Sequence, residues 1–202
     1  MGIFAYLVDS PKSIESFKAQ YGIPQGVSIR YYKQGDWYAQ RQEGEVVILI
    51  IAFIKGGMRI PMGRVTRDYL MAHRLAPIQC VLNMFRILGS VDTLNEKMGV
   101  NLTNHDVNWV YNCHKLIGKG YYLKTKELAV RLILFLPESN KGMNKDYLIV
   151  PGEWHDGLHC PMREGTPGGV FRFRSIVFNN TTPFSYRLFS CLFFFFYLHL
   201  QF

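Results

Sequence analysis

No run of four or more basic residues occurs in the chain, although 23 Lys and Arg outnumber 15 Asp and Glu for a net charge of +8. Such a balance admits contact with phosphates, because lysine and arginine displace their counterions. Scattered charge offers no organised reading of base edges, so weak, sequence-indifferent nucleic-acid contact is the most that composition supports. Long apolar runs are missing as well. Val46 to Ile54 gives nine residues and Leu188 to Leu200 thirteen, with Ser190 and His199 inside the second. A membrane span needs ~20, so no membrane partner is expected. The opening MGIFAYLVDS lacks the basic segment and apolar length of a secretory leader. Gly2 invites N-myristoylation, but Tyr6 stands where that motif wants Ser or Thr.

Cysteine is sparse. Cys80, Cys113, Cys160 and Cys191 show no CxxC spacing, which excludes the common zinc and redox motifs. Reduced thiols in an intracellular compartment, nucleus or cytoplasm, are the expectation. Neither GxGxxG nor GxxxxGK[ST] is present to cradle nucleotide phosphates. The DTG and DSG signatures of aspartic proteases and the YxDD of polymerases are absent too.

What is present is globular: 49% hydrophobic and 19% charged residues. Ser10-Pro11 starts a helix, with Ile14, Phe17 and Tyr21 on one face and Gly22 at its left-handed end. Val27, Ile29 and Tyr31 alternate as a short extended segment, and Val46 to Ile54 reads as a buried strand stopped by Gly56-Gly57. A second helical pattern opens at Pro61 and carries Val65, Tyr69 and Leu70. The strongest runs from Gln79 to Met98, with Val81, Met84, Phe85, Leu88, Val91, Leu94 and Met98 at spacings of three and four and Gly99 beyond. Thr103 or Asn104 caps a further helix through Val107, Val110, Tyr111 and Leu116, ended by Gly118. Tyr121 to Lys124, Val130 to Phe135 and Tyr147 to Val150 read as strands, the last two separated by the SNKG turn at Ser139 to Gly142. The fold class expected is α+β, with central helices flanked by short strands in a single small domain.

Several blocks carry a family likeness. IPMGRVTRDYLMAHRLAPIQCVLNMFRILG (Ile60 to Gly89), GYYLK (Gly120 to Lys124) and LPESNKGMNKDYLIVPGEWHD (Leu136 to Asp156) resemble the plant family of gypsy-type transposases, also described as a plant transposon protein domain. YGIP (Tyr21 to Pro24) and FIKGGMRIPM (Phe53 to Met62) match its lead-in. The likeness covers roughly residues 10 to 165 and departs at Met143, where the family commonly has Trp. It implies a gag-side region of a retrotransposon. No catalytic residue transfers with it.

Residues capable of chemistry are few. Asp36, Asp92 and Glu127 have an integrase-like rhythm, with 55 residues between the first two and 34 between the second pair. Three carboxylates holding two metals would serve phosphoryl transfer. Fifteen acids generate many such triples, however, and solvated surface carboxylates are the expectation. His155, His159 and Cys160 cluster in WHDGLHC, but Gly157, Pro151 and Pro161 favour a loop, and a fourth metal ligand would have to come from Cys80 or the Cys113-His114 pair. Read as neighbours on a helix, Cys113 and His114 diverge by ~100° and form no nucleophile-base dyad. With no leader expected, the sequons at Asn101, Asn179 and Asn180 are read as chance matches.

The expectation is therefore a non-catalytic, gag-like structural or interaction module over residues 1–165, with no enzyme activity, cofactor, metal ligand or catalytic residue assigned. Its partners would be copies of itself or other proteins. A metal-dependent nucleic-acid-rearranging enzyme is the first alternative. The second is a protein tethered to a membrane by residues 166–202. That segment is Phe-rich, lacks acidic residues and has no helical or strand periodicity, as translated non-coding sequence would.

Overall fold

Residues 2–32, 45–116, 120–127 and 146–151, with Ile133 and Leu136, are described by a computed structural model. The chain divides into Met1–Gly169 and Val170–Phe202, and the second unit lies wholly outside the described residues. So do the boundary expected at 165/166, the SNKG turn and nearly all of the strand expected at 130–135. Ile133 alone of that strand is described, and it stands in a bend.

The architecture is α+β, with five helices and two small antiparallel sheets among the described residues. Helix α1 (Pro11–Gln20) begins at a reciprocal cap: Ser10 Oγ accepts from Ser13 N–H, and Ser13 Oγ accepts from Ser10 N–H. It ends where Gly22, at φ +62°, turns the chain so that Gly22 N–H reaches Ala19 O and Ile23 N–H reaches Lys18 O. The extended segment expected at 27–31 contracts to β1 (Arg30–Tyr31).

Val46 to Ile54 is not one strand. Strand β2 (Val46–Leu49) gives way at once to helix α2 (Ile50–Ile54). Nine apolar residues, eight of them buried, satisfy a buried strand and a buried helix equally, and Gly56-Gly57 stops either. Strand β5 (Tyr147–Val150) lies between β1 and β2 and pairs antiparallel with both. Its entry residue, Asp146, is buried and accepts from Phe4 N–H at 2.8 Å and the Tyr31 hydroxyl at 2.7 Å, which ties the first turn of the chain to the sheet.

Helix α3 (Arg64–Ala72) starts three residues after Pro61, and α4 (Leu82–Met98) starts three after Gln79. Before α4, Pro77–Gln79 forms a 3-10 turn and Cys80 a single bridge to Tyr121. The apolar stripe of α4 is buried from Leu82 to Val91, half-buried at Leu94 and exposed at Met98. Gly99 ends the helix at φ +63°. Asn95 then grips the following loop, its amide pairing with both the N–H and the carbonyl of Leu102.

Helix α5 (Asn104–Val110) is capped by Thr103, whose Oγ1 accepts from His105 N–H while Asp106 accepts from Thr103 N–H. It stops at Val110, short of the expected Leu116. Tyr111–Leu116 is strand β3, paired with β4 (Gly120–Thr125). Val110 and Tyr111 share a helical face with Val107, but Tyr111 and Cys113 also alternate with polar Asn112 and His114, and the pairing with β4 selects the period of two.

Candidate functional site

Asp36, Asp92 and Glu127 do not form a described metal site: Asp36 lies outside the described residues and Glu127 is exposed beyond β4. Asp92 corrects the expectation of a solvated surface acid, being 7% exposed in the middle of α4. Its carboxylate accepts from Val65 N–H at 2.8 Å, Thr66 N–H at 3.1 Å and Thr66 Oγ1 at 2.6 Å. These amides belong to the first turn of α3, where Gly63 occupies the capping position with no side chain to offer. Asp92 therefore caps α3 from a neighbouring helix, with its negative charge at the positive end of the α3 dipole. Gly63 is required beside it, because a Cβ there would overlap the Asp92 carboxylate.

His155, His159 and Cys160 lie outside the described residues. Cys80 and Cys113 are described and face the interior. Cys80 is fully buried, and burial carries its thiol well above the ordinary range. Burial pushes Cys113 up to about 11, with the neighbouring Tyr69 hydroxyl opposing the shift. Neither thiol is a nucleophile at neutral pH, since the thiolate is the reactive form. The Tyr69 hydroxyl is buried without a hydrogen bond of normal geometry among the described residues, and the Cys113 sulfur, a weak partner, is the polar group beside it. Burial raises the Tyr69 hydroxyl, and the two thiols add to the shift. His73 stacks on the Tyr69 ring at 4.0 Å between centroids, and burial lowers its imidazole.

The Cys113-His114 pair fails as a dyad for a different reason from the one expected. Successive residues of a strand point to opposite faces, so Cys113 turns inward and His114 outward. Among the described residues, no three His, Cys, Asp or Glu gather where they could hold a metal. No helix among them is long and apolar enough to cross a membrane.

The β3–β4 hairpin has two unlike faces. Its inner face presents Tyr111, Cys113, Tyr121 and Leu123 to the core. Helix α4 holds it there through Asn83, whose amide donates to Leu123 O at 2.9 Å and accepts from Leu123 N–H at 3.3 Å. Val81 N–H donates to Tyr121 O at 2.9 Å, so the edge of β4 away from β3 is covered by the entry to α4. Gly120 permits this approach: at φ +105°, any Cβ would stand 2.5 Å from Gln79 O. The outer face presents two cross-strand pairs, Asn112 opposite Lys124 and His114 opposite Tyr122. The expected helix through Leu116 had hidden that arrangement, although the alternation of residues 111–115 carried the signal.

No family model, no curated protein and no solved structure matches the chain.

Proposed function

We propose that the chain is a non-catalytic module of plant gypsy-type mobile-element origin, with a gag-like structural or interaction role. The observation that carries this reading is the engagement of Asp92. A carboxylate serving metal-dependent strand transfer keeps its oxygens for the metals. Both Asp92 oxygens are instead taken by the first turn of α3, so the central acid of the integrase-like rhythm serves the fold. The two described thiols, Cys80 buried and Cys113 half-buried, are both raised by burial, away from the reactive thiolate. The blocks that resemble the plant family fall largely on α3, α4 and β4, the elements that carry the core and the hairpin.

Two measurements on the full chain test the proposal. Sedimentation velocity across a concentration series is expected to show self-association, and a protein monomeric to its solubility limit would remove the gag-like part. Incubation of plasmid or oligonucleotide DNA with Mg²⁺ or Mn²⁺ is expected to leave it intact. Cleavage that copurifies with the protein and stops on chelation would overturn the non-catalytic part.

A further inference from the structure

We propose that the outer face of the β3–β4 hairpin is a platform for single-stranded nucleic acid, on which His114 and Tyr122 stack bases while Lys124 and Lys126 hold phosphates. The inference goes beyond the proposed role and stands on the hairpin alone. His114 and Tyr122 are directly opposed in the antiparallel register, with ring centroids 5.6 Å apart and planes tilted by 33°. His114 is exposed and Tyr122 half-buried, so the rings form an accessible aromatic pair on a braced sheet. Lys124 follows two residues along the same face of β4, and Lys126, also exposed, continues that alternation.

What marks this surface is unpaired charge on the same face as the rings. Lys18, Arg30, Arg59 and Arg67 each pair with a carboxylate. Among the described residues, Lys124 and Lys126 have no such partner, as Lys12, Lys55 and Lys97 have none elsewhere, but the hairpin pair follows His114 and Tyr122 along one face. Lys115 belongs to the other face, opposite Tyr121 and 5.8 Å from the centre of its ring. The sole described acid on this element is Glu127, at its far end. Two ammonium groups, Lys124 and Lys126, beside two rings complement a strand that offers phosphates and unstacked bases together. A duplex hides its base faces within the stack and would leave the rings unused. An apolar partner or a bilayer fits less well. The exposed large apolar side chains among the described residues are Ile3, Tyr6, Met71, Met98 and Trp109, none of them on β3 or β4.

The test is fluorescence anisotropy of the full chain with a labelled oligothymidylate about 20 nucleotides long, beside its duplex with oligoadenylate. Two lysines at ~0.7 phosphate each give a slope of log Kobs on log[salt] of about −1.4, or roughly a 7-fold loss between about 50 and about 200 mM. The single strand is expected to bind more tightly than the duplex. Lys124→Gln/Lys126→Gln should weaken binding and flatten the slope. His114→Thr/Tyr122→Thr, which keeps strand propensity, should weaken binding at least about 5-fold with the slope unchanged, as loss of base stacking requires. Tyr122→Phe keeps the ring and should retain affinity, which covers the case in which the double variant melts early. The control pair Lys12→Gln/Lys97→Gln, on exposed positions of α1 and α4, should stay close to the parent. Absence of binding at low salt, preference for the duplex, or hairpin variants no weaker than the control pair would each overturn the proposal. So would hairpin-dependent binding to phosphatidylserine vesicles without binding to the oligonucleotide.

Discussion

Thr66 and Asp92 are joined by two hydrogen bonds, from the Thr66 amide and from its hydroxyl, across the interface between α3 and α4. With the Val65 amide added, one carboxylate terminates a helix to which it does not belong. Asp92→Ala would leave these buried donors unsatisfied. The expected loss is about 3 kcal/mol, more than the ~1 kcal/mol of an ordinary cap. Gly63→Ala displaces the same carboxylate, so the double variant should lose much less than the sum of the two. Urea melts of the four proteins measure the coupling, and strict additivity would argue against the shared mechanism.

Arg74 ends α3 in a left-handed conformation, at φ +51°. Around it Arg74 N–H reaches Met71 O and Leu75 N–H reaches Leu70 O, the pattern usually built on glycine. Arg74→Gly relieves the Cβ strain and is expected to stabilise the protein by about 1 kcal/mol. A lowered melting temperature would show that the arginine side chain contributes more than its backbone conformation costs.

Phe85 is 2% exposed at the centre of the α4 stripe. Phe85→Ala should cost ~3–5 kcal/mol through lost transfer energy and the cavity left behind. A melt shifted no further than that of an exposed-site variant such as Lys97→Ala would contradict the packing of α4.

Two groups give the stability a pH dependence of opposite sense. Burial lowers His73 from the ordinary 6.5, so folding favours its neutral form. That contribution is present above pH 6.5 and is lost as pH falls through the depressed value. Cys113 is raised from 9.0 to about 11, so its contribution is complete below pH 9 and disappears as pH rises toward 11. NMR titration of the His73 ring should give a midpoint below 6.5, and native Cys113 should alkylate about 100-fold more slowly than a free thiol near pH 8. An ordinary His73 midpoint, or prompt alkylation of the folded chain, would remove the corresponding arm.

Local signals were read well where one residue type had one meaning. Ser10-Pro11, Thr103, Gly22 and Gly99 mark the ends the structure shows, because caps and left-handed glycines act over a single turn. The α4 stripe was legible for the same local reason, its spacing of three and four being long and unbroken. The errors fall where tertiary contacts decide. Val46 to Ile54 supports strand and helix alike, and β2 extends only as far as β5 pairs with it. Val107, Val110 and Tyr111 have helical spacing up to the point where β3 begins, and the registry with β4 is invisible from that segment alone. That second error concealed the outward pairing of His114 with Tyr122. The capping role of Asp92 was illegible for a related reason: its partners stand 26 and 27 positions earlier in the chain.

The placement of β5 between β1 and β2 sets an order on synthesis. Val46 to Ile51 is buried, yet the strand that covers its β-sheet edge begins at Tyr147. At translation rates of about 5–20 residues per second, roughly 5–20 s pass before that strand exists. During that interval the nascent chain carries an apolar strand with no pairing partner from β5, while α3, α4 and the β3–β4 hairpin can already assemble from near neighbours. A ribosome-bound chain truncated just before Tyr147 is thus the stage at which a holdase would find the most to hold.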